Sequence, residues 1–169
     1  KDRALAEIDR LGPTLIEVSH EIWDHPELCF EEHRAHDLLC DVLADEGVQV
    51  TRRAHGLDTA FRADVGAHGP VVAVCCEYDA LPDIGHACGH NVIAAAGLGA
   101  GLAAAAIAAE FGGRVRILGT PAEEGGGGKE FLLRDGAFGG VDAAMMVHPA
   151  DHDLPTLTTL AIHGLEVHY

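Results

Sequence analysis

Aromatic residues make up only 5% of this 169-residue chain, so its core must be built mainly from Ala, Leu, Val and Ile. Basic residues are also scarce: 11 Lys and Arg stand against 27 Asp and Glu, a formal net charge of -16. That balance argues against nucleic acid and anionic membranes as partners, since both need a positive surface. It favours solubility and suits a protein that concentrates divalent cations, although most of the acids are expected on solvated surface. The cysteines (Cys29, Cys40, Cys75, Cys76 and Cys88) are odd in number and irregularly spaced, a poor disulfide framework. They point to a reducing, cytoplasmic compartment. No basic-apolar-small segment reads as a signal peptide, and the chain opens at Lys1 without Met, which reads as a trimmed front. The longest apolar run, residues 92–109, is rich in Ala and Gly and lacks the bulky residues of a membrane-spanning helix. It reads as a buried helix. There is no internal repeat, and the four glycines at 125–128 are too few to form a low-complexity segment.

What is present is patterned. With 48% hydrophobic and 22% charged residues, the composition is that of a globular domain with a core. Residues 3–24 carry Leu5, Ile8, Leu11, Leu15, Val18 and Ile22 at helical spacing, and Gly12-Pro13 is expected to split them into two helices. Residues 31–46 form a second amphipathic stretch, with Leu38, Leu39, Val42 and Leu43 inward and Gly47 as C-terminal cap. Short strands are expected at 48–52 and 59–65. Residues 71–76 form a continuous apolar run, as in a strand buried on both faces, and 114–119 and 143–147 read as further buried strands. Helices are expected at about 90–110 and 129–135, and strands at 156–162 and 165–169. Strands alternating with helices predict an α/β fold, a layered and largely parallel sheet flanked by helices.

In such sheets ligands bind beyond the carboxyl ends of the strands. The buried strands end at Cys76, Gly119 and Val147. Just beyond them lie Asp79 with Cys88 and His90, then Glu123 with Glu124, then His148. In His86-Ala87-Cys88-Gly89-His90, a thiolate and an imidazole two residues apart can reach one metal, and Gly89 leaves room between them. Sulfur and neutral imidazole suit zinc rather than magnesium or calcium. The competing reading is a buried structural cysteine beside surface histidines, and a third is a cysteine nucleophile. Glu123 and Glu124 can point in different directions, so one can bind metal while the other, as a free carboxylate, serves as general base. They also fit an acidic helix N-terminus. His148 gains interest only by joining these groups. Asp79 can hydrogen-bond a ligating imidazole or cap its loop. His86 lies close to the site but is not a first choice of ligand. The remaining histidines, His36 and His55 among them, read as surface or turn residues.

The blocks YDALPDIGHACGHN (78–91), GTPAEEGGGGK (119–129) and VHP (147–149), with HPELCFEE (25–32) ahead of them, resemble the dinuclear-zinc amidohydrolase and metallopeptidase family. That family includes aminoacylases, hippurate hydrolases, p-aminobenzoyl-glutamate hydrolase and aminoacylase-like dipeptidases. The resemblance implies a zinc-exopeptidase-like catalytic domain and two divalent metal ions, zinc first, with manganese or cobalt as alternatives. It implies Cys88, His90, Glu124 and His148 as metal ligands, and Glu123 as the general base that activates a metal-bridging water. Asp79 joins Glu123 on the catalytic list. The implied reaction is hydrolysis of an amide bond in a small-molecule N-acyl amino acid or dipeptide. Asn91 stands where many relatives carry Asp, which leans toward the p-aminobenzoyl-glutamate and dipeptidase branch.

The resemblance also implies a longer protein. Residues 1–155 correspond to the N-terminal part of the catalytic domain, and 156–169 to the start of a lid and dimerisation domain. A fifth ligand, a His near the family's C-terminus, and a lid His that stabilises the oxyanion fall outside the sequence. The stretch alone is therefore expected to be inactive, and a homodimer stays open for the full-length protein. Two other readings compete. One is a non-catalytic metal- or partner-binding remnant of the same fold, which would have no use for Glu123. The other is a cysteine-dependent hydrolase, which would work without metal.

Overall fold

The computed structural model describes residues 1–154; the strands expected at 156–162 and 165–169, and the expected start of the lid, lie outside them. Helix α1 (Asp2–Asp24) and helix α2 (His33–Asp45) precede strands β1 (Val50–Arg52), β2 (Phe61–Val65) and β3 (Val71–Cys76). Helix α3 (His90–Phe111), strand β4 (Arg114–Gly119), helix α4 (Gly128–Arg134) and strand β5 (Ala143–Met145) follow. The strands form one sheet in the order β1-β2-β4-β3-β5.

The sheet is mixed. β4, β3 and β5 run parallel, joined through the helical crossovers that parallel pairing requires. β1 and β2 add antiparallel pairings at the other edge, where a short connection lets the chain turn back on itself. The parallel part is the part that carries the candidate site.

Alternation along β4 shows the layering. Val115 and Ile117 face a core shared with α1, α2 and α3, containing Leu11, Val18, Ile22, Leu39, Leu43, Phe61 and Leu98. Leu118 faces the opposite layer, with Ala73, Leu132 and Ala137. Each fully buried Leu or Ile here stabilises the fold by roughly 1.5–3 kcal/mol. Helix α3 is long and apolar enough to cross a membrane by length and composition, but it is packed between α1 and the sheet. Its glycines allow that approach: a Cβ on Gly97 would lie 2.7 Å from the Cys75 carbonyl oxygen, and one on Gly99 2.6 Å from Leu15.

Three expectations are corrected. Gly12-Pro13 does not split the first helix, which runs unbroken with Pro13 inside it. Proline normally clashes with the Cβ of the residue before it, and Gly12 has none. The apolar stripe on both sides of Pro13 packs on α3, which holds the helix together across one missing hydrogen bond. β5 is an edge strand with Ala143, Ala144 and Met145 exposed, not a buried one, because no described residue covers it. His36 is not on the surface. It lies buried in α2 beside Phe61, with its ring nitrogens near Asp37 and Cys40.

Gly47 does cap α2. Its φ is +78°, its N–H bonds to Ala44 O at 2.9 Å, and Val48 N–H bonds to Leu43 O at 2.9 Å. This is the paired closure that a left-handed residue just past a helix provides.

Candidate metal centre

The site forms where the three parallel strands end. β3 delivers Glu77 and Asp79, and the loop behind it delivers Cys88. Gly89 then takes a left-handed conformation, φ +85°, so that His90 begins α3. Glycine is needed there on two counts, since a Cβ would also come within 3.0 Å of Pro149. The loop after β4 delivers Glu123 and Glu124, and the segment after β5 delivers His148.

His90 is the hub and is fully buried. Its Nδ1 lies 3.0 Å from Asp79 Oδ1. A carboxylate can only accept, so Nδ1 carries the proton and neutral His90 turns a lone pair outward from Nε2. Three carboxylates face that nitrogen: Glu77 Oε2 at 3.5 Å, Glu124 Oε1 at 3.6 Å and Glu123 Oε2 at 3.8 Å. On the other side, Cys88 Sγ lies 3.6 Å from His148 Nε2, and the His90 and His148 rings meet edge to face at 6.3 Å. Two sets of donor atoms fall within 4.8 Å of one another: Cys88, His90 and His148, and Glu77, His90 and Glu123.

The charges are one-sided. Four carboxylates surround the imidazole, and Lys129, ion-paired with Glu77 Oε1, is the ammonium that answers them. Burial opposes charge on His90, but the Asp79 hydrogen bond and the Asp79, Glu77 and Glu124 charges raise its pKa overall. Burial likewise pushes Asp79 up, yet the bonds from His90 and from the Glu124 and Glu123 N–H groups hold it below the usual carboxylate value. Glu123 is raised, first by burial and then by the charge of Glu77, with Glu124 adding and Lys129 and His90 opposing. The Cys88 thiol is pushed up to about 12, chiefly by burial and then by its contact with Glu124 and the surrounding carboxylates.

A cation fits these residues. His90 Nε2, Glu77 Oε2 and Glu124 Oε1 are all buried and have no hydrogen-bond partner among the described residues, and all converge on one place. Buried polar atoms are rarely left so unless something else completes them. The donor set of thiol, imidazoles and carboxylates is one that zinc accepts.

Every residue singled out from sequence reaches this place: Cys88, His90, Glu123, Glu124, His148 and Asp79. Glu77 was missed, although it is the first residue beyond a buried strand and the strand-end rule alone would have flagged it. Lys129 was also missed, and its signal is tertiary, since Glu77 lies far from it in sequence. His86 is buried close to the site, and burial lowers its pKa, with the Ile22 backbone opposing. Asn91 points away from the cluster and bonds to Ser19 Oγ at 2.9 Å, tying α3 to α1.

The chain resembles known proteins in both sequence and fold. The pattern of peptidase family M20/M25/M40 matches residues 73–164. The Xaa-Arg dipeptidase of Mus musculus is 45% identical, over 100% of this chain and 42% of its own length. A p-aminobenzoyl-glutamate hydrolase polypeptide of Escherichia coli K12 is 38% identical, over 79% of this chain and 32% of its own. Among solved structures, the Bacillus subtilis YXEP protein, described as a dinuclear metal binding peptidase from the M20 family, superposes with a TM-score of 0.72. It is 28% identical, over 80% of this chain and 42% of that one. The chain thus spans less than half the length of these relatives.

Proposed function

The chain belongs to peptidase family M20/M25/M40, and from that premise we propose that its protein hydrolyses the amide bond of a dipeptide or N-acyl amino acid at a centre of two divalent cations. The observation that carries this reading is the convergence of orphaned His90 Nε2, Glu77 Oε2 and Glu124 Oε1 beside the Cys88 and His148 pair. Cys88, His90, Glu124 and His148 would hold the cations, with Glu77 as a further carboxylate facing the same place. The sulfur ligand favours zinc over harder ions. Two divalent cations held there would supply Lewis acidity and lower the pKa of water toward neutrality.

The chain's own residues divide the remaining work. Glu123 is the most open of the carboxylates around His90, with 42% of its side chain exposed, so it can meet a substrate. Its raised pKa suits a group that takes a proton from attacking water at Oε2 and returns it to the leaving amine. Asp79 fixes the His90 ring through Nδ1, and Lys129 holds Glu77 in place. Relatives named as an Xaa-Arg dipeptidase and as a subunit of p-aminobenzoyl-glutamate hydrolase support the substrate class. The five free cysteines support a cytoplasmic setting.

The cysteine-nucleophile reading loses ground. A thiol held near 12 is almost wholly protonated at neutral pH, and its carboxylate neighbours are those of a metal ligand rather than of an activated nucleophile. A binding-only remnant leaves Glu123 without a task.

Elemental analysis of the purified protein and of a Cys88→Ala/His90→Ala double variant tests the proposal. Near-stoichiometric zinc or manganese in the wild type, lost in the variant, is the expected result. Assays on dipeptides and N-acyl amino acids then follow. A wild type that takes up no metal even from excess zinc would sink the metal reading for this chain.

A further inference from the structure

Residues 25–32, ahead of α2, take no part in the chemistry above, yet they grip both carboxylate loops. The Glu27 carbonyl accepts the Ala80 N–H at 2.8 Å, directly after Asp79. Glu32 is fully buried, and no cation pairs with it among the described residues. Its Oε1 accepts the Ala122 N–H at 2.7 Å, and its Oε2 accepts the Thr59 hydroxyl at 2.8 Å. The Thr59 carbonyl in turn accepts the Tyr78 hydroxyl at 2.5 Å, between Glu77 and Asp79 in sequence. Ala122 is a buried non-glycine residue at φ +57°, immediately before Glu123 and Glu124. An L-residue does not rest in that conformation unless its surroundings hold it.

We propose that Glu32 is a positioning residue: its carboxylate holds the left-handed turn at Ala122 and so sets the directions in which Glu123 and Glu124 face His90. A buried carboxylate answered only by neutral donors is unfavourable by itself. Bonding the one strained amide beside the two site glutamates gives it a purpose that an apolar side chain could not serve. The proposal rests on the metal-centre reading for its consequence, but not for the clamp itself.

Two measurements on the purified protein separate these layers: amide hydrogen exchange over residues 120–127, and titration with cobalt(II), followed by thiolate and ligand-field absorption. In Glu32→Ala, exchange over 120–127 should rise about tenfold or more while α1 and α3 stay protected, and cobalt affinity should fall by about tenfold or more with an altered spectrum. Glu32→Gln keeps an acceptor for Ala122 and should restore both to within about threefold of wild type. Thr59→Val leaves the Ala122 bond and should leave exchange over 120–127 unchanged.

Glu32→Ala with wild-type exchange, cobalt affinity and spectrum would overturn the proposal. So would Glu32→Gln as damaged as Glu32→Ala, which would make the buried charge rather than the clamp the cause. If Glu32→Ala does not fold, Glu32→Asp decides: one methylene short, it should lose the Ala122 bond, and wild-type behaviour would refute the clamp. A wild type that binds no cobalt defeats the metal-centre reading, while the exchange comparison still judges Glu32.

Discussion

Asp79→Asn is the sharpest perturbation of this site, because it keeps shape while removing the charge and turning one acceptor into a donor. Both Asp79 oxygens accept: Oδ1 from His90 Nδ1 at 3.0 Å and Oδ2 from the Glu124 N–H at 2.9 Å. An amide offers one oxygen and one NH2, so only one of these bonds survives. If the oxygen stays with Glu124, the NH2 faces His90 Nδ1 and drives the ring proton to Nε2, where it blocks the lone pair that faces Glu77, Glu123 and Glu124. If it stays with His90, the part-buried Glu124 N–H is orphaned beside a second donor. A buried unsatisfied donor costs about 1–3 kcal/mol, which is the expected loss in a denaturant titration of the metal-free protein. Loss of the group that orients a metal-binding imidazole weakens binding by about 10- to 100-fold, or about 1.4–2.7 kcal/mol. Competition between the protein and a chelator for zinc or cobalt reads that number directly. Asp79→Asn that folds and binds within about threefold of wild type would refute the tautomer argument and leave Asp79 as a loop cap.

Two further outcomes follow from the same geometry. In the metal-free protein His90 is raised above its ordinary 6.5, so its pairing with Asp79 contributes fully below that value and fades as pH rises through the raised one. Asp79 is lowered from 3.8, so its contribution is present above that value and is lost as pH falls through the lowered one. Buried His36 and His86 are lowered and so favour the alkaline side. The His90 contribution is therefore read as the difference in metal-free stability between wild type and His90→Gln. It should shrink on the alkaline side of 6.5, while metal affinity rises over the same range as Nε2 loses its proton; a difference that grows from about pH 6 to pH 8 contradicts this. Gly128→Ala would set a Cβ 1.9 Å from the Pro121 carbonyl oxygen, backbone that can yield only by moving the Glu123 loop, whereas Gly101→Ala meets the Ile117 side chain at 2.6 Å, away from the site. Each should cost about 1–3 kcal/mol of stability, but only Gly128→Ala should lower metal affinity by about tenfold or more, and equal losses of affinity in both would show that the loop is not what places the glutamates.

Legibility in the sequence followed how local each cause was. The bounds of β3 and β4, the end of α2 and the start of α3 at His90 were readable, because apolar runs and the Gly47 cap act within a few residues. Once the strand ends were set, the rule that ligands lie beyond them gathered Cys88, His90, Glu123, Glu124 and His148 without tertiary information. Where contact from elsewhere decides, reading failed. Pro13 looks like a break until Gly12 and the α3 surface are considered together. Residues 143–147 are apolar enough for a buried strand, but burial depends on a neighbour, and among the described residues β5 has one on one side only. Lys129 reads as a solvated lysine until the chain brings Glu77 to it. His36 was readable after all: it shares a helical face with Leu39, Cys40 and Leu43, and that spacing outweighs its polarity.

The arrangement explains why the loops need such firm anchorage. Four carboxylates gathered around one imidazole repel one another, and Lys129 answers only part of that charge. Left free, the 77–79 and 121–124 loops would relax outward and disperse their charges into water. Buried ties oppose that relaxation: Tyr78 to Thr59, Asp79 to the Glu124 N–H, and Glu32 to the Ala122 N–H. The fold thus holds a constellation that is unfavourable without a cation and favourable with one. The free energy of assembling it is borne by the core that α1, α2 and α3 build against the sheet, and it is returned as affinity when a cation enters.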